Sequence, residues 1–463
     1  MKMRALLHLC VALAVLLSIV QCDHNGHGHG HNHSHGHGHD HDHSHGHGHD
    51  HDHSHGHGHD HDHDHSHGHG HGHSHSHGKG HEHHTNGSLK IYQENLDFAF
   101  HLYKHISAQP DSQSKNVFFS PLSVSVALAA LSLGARGKTH QQLFEGLGFN
   151  STDITEEEVN QAFQHIHHNL NEKSDVDLSL GNALFIAQNF KPRPEFLESM
   201  KRYYLSEGFS TDFSKTEQAK EQINKYVDEK TKGKITQLVE DVDPLTVMYI
   251  INYIYFKGKW EIPFDPKETK EDQFHVDDNT TVPVQMMYKK DNFHVFHDKE
   301  ISTHVLQLHY NESVSMMLVL PEKGLQGLEE VVCKNHLRKW IKSVKKSKYK
   351  VFVPKLSLKT SYKLRGILSE MGITDIFKDT ADLSGISEDG KLVVSKVVHK
   401  ATLDMDEAGA TAAAATGVEI VLTSAPFPST PVLKYDRPFM VFVLNRETRS
   451  VLFMGKIVNP AEK

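Results

Sequence analysis

From His27 to His77 a histidine stands at nearly every second position, with aspartates in several of the gaps. A ten-residue unit, HDHDHSHGHG, begins at His39, recurs at His49, and returns from His59 with two residues added. Neutral imidazoles interleaved with carboxylates are borderline ligands suited to Zn²⁺, Cu²⁺ and Ni²⁺. A spacing of two lets many weak, exchanging sites overlap, as around His39, His41 and His43 or around His49, His51 and His53. Residues 23–84 hold 30 of the 44 histidines and a fixed charge of −8, whereas residues 85–463 carry −3. The tract is therefore a separate electrostatic object, and also a charge switch. Ordinary imidazoles, with pKa near 6.5, turn it strongly cationic as pH falls through about 6, so it is expected to hold polyanions more tightly in acid. The alternative is a slippage-expanded repeat without a role.

Catalytic groupings are missing from the sequence. There is no G-x-S-x-G, no Walker sequence and no H-E-x-x-H; His81-Glu82 is followed by His83-His84-Thr85, with no second ligand where one is needed. His399 invites a general-base reading, but no enzyme activity is expected. A different chemistry is suggested by EAGATAAAAT at 407–416. Its side chains are small on every face and give no amphipathic stripe. As a strand it would turn Ala410, Ala412, Ala414 and Thr416 to one side, all small enough to slip into a crowded sheet. The other reading is a linker.

The elements around these residues follow from pattern. Residues 1–22 carry Lys2 and Arg4 and then an apolar run, the form of a secretory signal too short to span a bilayer. No later segment could span one, so a soluble, secreted chain is expected. Cys10 and Cys22 fall in that signal, and Cys333 is read as a partly buried, non-catalytic thiol. Sequons stand at Asn32, Asn86, Asn150, Asn279 and Asn311. Residues 23–84 have almost no apolar side chains and are expected to be disordered. Residues 85–463 form one unbroken body. Leu96, Ala99, Leu102/Tyr103 and Ile106 recur at helical spacing. Ser214-x-x-Glu217 is read as a capping box, with Gly233 as the C-cap of the helix it starts. Val247–Phe256, Ser315–Leu320 and Lys350–Leu358 read as strands, and Met440–Leu444 with Val451–Val458 as a hairpin. The mixture predicts an α+β fold. The acid-free stretch 338–350 reads as a helix with Leu337, Trp340/Ile341 and Val344 on one face and Arg338, Lys342 and Lys345/Lys346 on another; Lys339 belongs to the same basic run. Nucleic acid is not implied, since the body is slightly acidic.

From about Asn95 to Pro460 the chain resembles the serpin family, specifically the plasma group around alpha-1-antitrypsin and antichymotrypsin. The resemblance rests on eight ordered motifs, among them NVFFSPLSVSVALAALSLGARGKTHQQL at 116–143, NYIYFKGKWEIPF at 252–264, VPKLSL at 353–358 and SKVVHKATLDMDEAGATAAAAT at 395–416. It implies a serpin fold of three sheets and about nine helices, with an exposed reactive-centre loop, acting as a monomer on extracellular serine proteases. Glu407, Gly409, Ala410, Ala412, Ala413, Ala414, Ala415 and Thr416 take the place of the hinge. Trp260, Lys355 and Glu407 match the breach, with a Glu407–Lys355 ion pair. His399, Ser120, Ser123 and Asn252 match the shutter, a structural rather than catalytic place for the histidine. Family spacing puts the scissile bond at Thr423–Ser424, with Leu422 as the shifted alternative, which suits elastase-like or chymotrypsin-like targets. The basic stretch resembles a heparin-binding helix of some relatives. No cofactor is required, with Zn or Cu on the tract and heparin as optional ligands. Carriers of small hydrophobic ligands such as hormones share the fold, and Ala408, where many relatives are charged, and Thr423 depart from the inhibitory pattern.

Overall fold

The computed structural model describes residues 80–172, 177–310, 313–388, 391–408 and 429–462, with side chains from residue 91 onward and none at 171–172. Residues 23–79 of the histidine tract, the sequons at Asn32 and Asn311, and the residues from Gly409 to Ser424 lie outside this set. In chain order the elements are α1 (Gly80–Ser107), β1 (Val117–Phe119), α2 (Pro121–Ser132), α3 (Gly137–Gly146), α4 (Glu156–Glu172), β2 (Asp177–Ala187), α5 (Pro194–Tyr204), β3 (Glu207–Thr211), α6 (Thr216–Lys230) and β4 (Met248–Lys257). Then follow β5 (Lys270–His275), β6 (Thr281–Asp298), β7 (Thr303–His309), β8 (Val314–Pro321), α7 (Leu325–Val331), α8 (Lys334–Ser343), β9 (Lys345–Pro354), β10 (Leu356–Lys363) and α9 (Leu364–Glu370). The chain closes with β11 (Lys396–Met405), β12 (Val432–Lys434), β13 (Phe439–Asn445) and β14 (Val451–Ile457).

Nine helices and an α+β arrangement therefore stand among the described residues, as expected. Hydrogen bonding joins the strands into two ladders. The smaller runs β10-β11-β4-β2-β3, and the larger runs β1-β14-β13-β8-β7-β6-β9-β12 with β5 on β6. The expected third sheet is the β5–β6–β9–β12 end of the larger ladder. It stays joined to the rest because β6 is one 18-residue strand, pairing with β5, then β9, then β7 along its length.

All twelve residues of α2 are buried, which is what a helix without a polar face must do. It packs on β2, β4 and β14 and so sits between the two ladders. Pro121 starts it, and Ser120 caps it by accepting the Ser123 N–H at 3.1 Å. The apolar stripe of α1 is buried as its spacing predicts, and the C-terminal hairpin is β13–β14.

Three expectations need correction. The capping box does not form: Ser214 Oγ turns back to Asp212 Oδ1 at 2.5 Å, and α6 starts after an uncapped Lys215. Its far end does involve Gly233, at φ +77°, whose N–H donates to Asp228 O at 2.9 Å. The run 350–358 is not one strand. It breaks at Lys355 into β9 and β10, which belong to different ladders. Finally, α8 ends at Ser343 and Val344 is extended, so Lys345 and Lys346 start β9. Successive strand residues point to opposite faces, and the single helical stripe of cations does not exist.

Candidate functional site: the seam between β4 and β11

Two strands of the smaller ladder, β4 and β11, run parallel and pair from Lys396↔Tyr249 to Leu403↔Phe256. β4 is largely apolar and β11 mixes apolar with polar side chains, and polar groups converge at two places along the seam.

The lower place is centred on His399, opposite Asn252 in the register and wholly shielded from solvent. The Ser120 N–H donates to His399 Nε2 at 3.0 Å, so the ring proton must sit on Nδ1 and donate to Asn252 Oδ1. The Asn252 amide donates in turn to Ser123 O at 2.8 Å, to Ser123 Oγ at 2.6 Å, and to Asn182 Oδ1. One chain of bonds thus ties α2 to β11, β4 and β2. Burial pulls the His399 pKa down to about 3, which keeps the ring neutral and the tautomer single. A general base needs access to a substrate proton; His399 has neither exposure nor a free nitrogen.

The upper place lies where β11 ends. Lys355, the residue at the break between β9 and β10, sets its Nζ 2.8 Å from Glu407 Oε2. Thr269 Oγ1 donates to the other carboxylate oxygen at 2.8 Å, and Phe264 N donates to Glu407 O at 2.9 Å. Burial would raise the Glu407 pKa, but the Lys355 and Thr269 bonds outweigh it and hold the carboxyl below its ordinary range. Trp260 Nε1 donates to Asp406 O at 2.7 Å, and its ring stacks on Tyr310 at 4.1 Å. Asp406 also pairs with Lys257 at 3.2 Å. Every bond here holds Asp406 or Glu407, just past the end of β11.

The structure brings Ser120, Ser123, Asn252 and His399 together, and Trp260, Lys355 and Glu407 together. Sequence reasoning missed Asn182, whose partner position on β2 needs the sheet register to see. It also missed Thr269 and Tyr310, which lie in other segments and carry no local signal. Gly258 had one: a Cβ there would run into the Tyr310 ring beneath Trp260. Of the basic cluster, Lys339 is committed to Asp298 at 2.9 Å and Glu300 at 2.5 Å, while Lys342, Lys345 and Lys346 are exposed. Asn150 and Asn279 are exposed in loops. Cys333 is buried at the start of α8. No described helix is long and apolar enough to cross a membrane.

The family described as Serpin (serine protease inhibitor) matches residues 93–460. Alpha-1-antiproteinase 2 of Equus caballus is 46% identical over 376 residues, covering 81% of this chain and 88% of the relative. Serpin A3-8 of Bos taurus is 44% identical over 372 residues, covering 80% and 88%. Among solved structures, human thyroxine-binding globulin complexed with thyroxine aligns with TM-score 0.76 at 40% identity, over 81% of this chain and all of that one. Human glycosylated kallistatin aligns with TM-score 0.73 at 40% identity, over 81% and 99%. The chain belongs to the serpin family.

Proposed function

We propose that this serpin is a secreted suicide inhibitor of extracellular serine proteases with elastase-like or chymotrypsin-like specificity. The carrying observation is the parallel seam. A chain that leaves the end of β11 and turns back must run antiparallel to β11, and therefore also antiparallel to β4. A new strand between them meets two edges of the same polarity, both ready to pair with it. The small residues of 409–416 suit that slot. Attack of a protease serine on the Thr423 carbonyl forms an acyl-enzyme, and cleavage frees the loop to insert and carry the protease with it. The driving energy is that of a metastable sheet held shut by the two polar clusters.

The test is a denaturing gel after mixing the full chain with neutrophil elastase, pancreatic elastase and chymotrypsin. A band at the summed mass is expected, and mass spectrometry of the released peptide should locate cleavage at Thr423–Ser424 or Leu422–Thr423. Clean cleavage without complex and without a gain in thermal stability would reject the reading.

A second reading, a non-inhibitory carrier, is favoured by the likeness to thyroxine-binding globulin, solved with thyroxine. The same gel decides between the two. Three further features belong to the proposal. Glycans are expected at the exposed Asn150 and Asn279. The histidine tract is expected to bind divalent metal ions, with polyanions favoured in acid. Heparin is expected to meet Lys342, Lys345 and Lys346 across the α8–β9 junction rather than along one helix.

A further inference from the structure

Far from the seam, three metal-ligating side chains meet at one end of the larger ladder. His297 on β6 and His304 on β7 are directly opposite in the antiparallel register. Their rings stack at 4.2 Å with an interplanar angle of 13°. Each presents Nε2 to the same oxygen, Glu322 Oε1, at 3.0 Å. Glu322 follows the last residue of β8, and its N–H donates to Ser302 O at 2.9 Å, which pins it against the β6–β7 turn. The three ligand atoms lie within 4.8 Å of one another, the one such group among the described residues.

We propose that His297, His304 and Glu322 form a divalent transition-metal site, best suited to Zn²⁺, that staples β6, β7 and the end of β8. Two imidazoles and one carboxylate are the borderline donor set that this ion prefers. Tetrahedral bonds of about 2.1 Å place donors about 3.4 Å apart, so the present spacing needs only small adjustments. The His297 side chain is 38% exposed and that of His304 27%, which leaves room for each ring to turn its Nε2 lone pair toward a shared point. His304 Nδ1 is buried without a hydrogen-bond partner, so the outer-shell bond that usually stiffens a zinc-bound histidine is missing. The site is thus an exchanging one.

The same hairpin supplies its own control. His294 and His309 also stack, at 4.5 Å, with Glu261 Oε2 3.3 Å from His309 Nδ1. That pair is flanked by Lys346 and Arg446, whose charge opposes a cation.

Diethylpyrocarbonate footprinting of the full chain, read peptide by peptide, separates this site from the histidine tract. Zinc chloride should reduce modification of His297 and His304 together by several-fold, leave His294 and His309 unchanged, and be matched by no effect of Mg²⁺, a hard ion that prefers oxygen. Glu322→Ala should weaken the zinc protection of both histidines. His297→Gln, a change on a half-exposed side chain, should abolish it at His304. Protection of the tract with none at His297 and His304 would overturn the proposal, as would protection that both variants leave intact.

Discussion

The two clusters along the β4–β11 seam solve one problem with opposite chemistry. Around His399 everything is neutral and dry, and the ring holds a single tautomer, although Asn182 Nδ2 is buried without an acceptor. Around Glu407 the group is ionic and half-wet, with the Lys355 side chain 39% exposed. A buried neutral network is worth little net but is expensive to break, because each orphaned donor or acceptor loses about 1–3 kcal/mol of solvation. A half-exposed ion pair is screened and worth about 0–1 kcal/mol globally. The difference lies in placement: the His399 cluster ties four elements together, while the Glu407 cluster holds one backbone segment just past the end of β11.

The comparison breaks most sharply at His399. His399→Ala leaves the Ser120 N–H and Asn252 Oδ1 buried without partners and opens a cavity, so a loss of about 3–5 kcal/mol is expected in urea unfolding. A loss below about 1 kcal/mol would mean that the network is dispensable. pH sharpens it next. His399 has a depressed folded pKa of about 3, so its contribution is full above the ordinary value near 6.5 and shrinks as pH falls toward 3. Between about pH 6 and 4.5 the wild-type chain should lose about 1.4 kcal/mol per pH unit more than His399→Ala. His167, also buried and pulled down to about 4, contributes equally in both proteins and cancels. Parallel pH profiles would contradict this account.

Ser120→Ala removes only the cap of α2 and should cost about 1 kcal/mol. Lys355→Met should cost less than about 1 kcal/mol in global stability at neutral pH. Because Glu407 has a depressed pKa, that cost is present above about pH 4.5 and disappears as the carboxyl protonates below it. Its larger effect is on the seam: Glu407→Lys, which sets two cations together, should raise the polymer fraction after mild heating, followed on a native gel. An unchanged monomer fraction would show that the Glu407–Lys355 pair does not keep the seam closed.

Much of this site is legible in the sequence. The α1 stripe, the buried β4 run and the C-terminal hairpin each carry their own periodicity, and burial follows that periodicity. The family resemblance picks out Ser120, Ser123, Asn252 and His399 in one cluster and Trp260, Lys355 and Glu407 in the other, but not Asn182, Thr269 or Tyr310. What pattern does not show is the break at Lys355, because VPKLSL is continuous in hydropathy while its two halves enter different ladders. Ser214 and Glu217 have the spacing of a capping box, yet a nearer carboxylate, Asp212, takes the hydroxyl. The basic stretch fails for a related reason: β-pairing of Lys345–Pro354 with β6 claims the residues that helical spacing would have kept.

Local composition alone determined that this chain has a polar histidine tract, an apolar body and a segment of uniformly small side chains, because hydropathy and side-chain volume are properties of single residues. Tertiary structure decided which polar groups meet. His399 and Asn252 are 147 residues apart, Ser120 and His399 are 279 apart, and His297 and His304 come together on one Glu322 oxygen only across a strand register. Hydrogen-bond partners separated by such distances are chosen by backbone pairing and packing, and no periodicity within either segment encodes them.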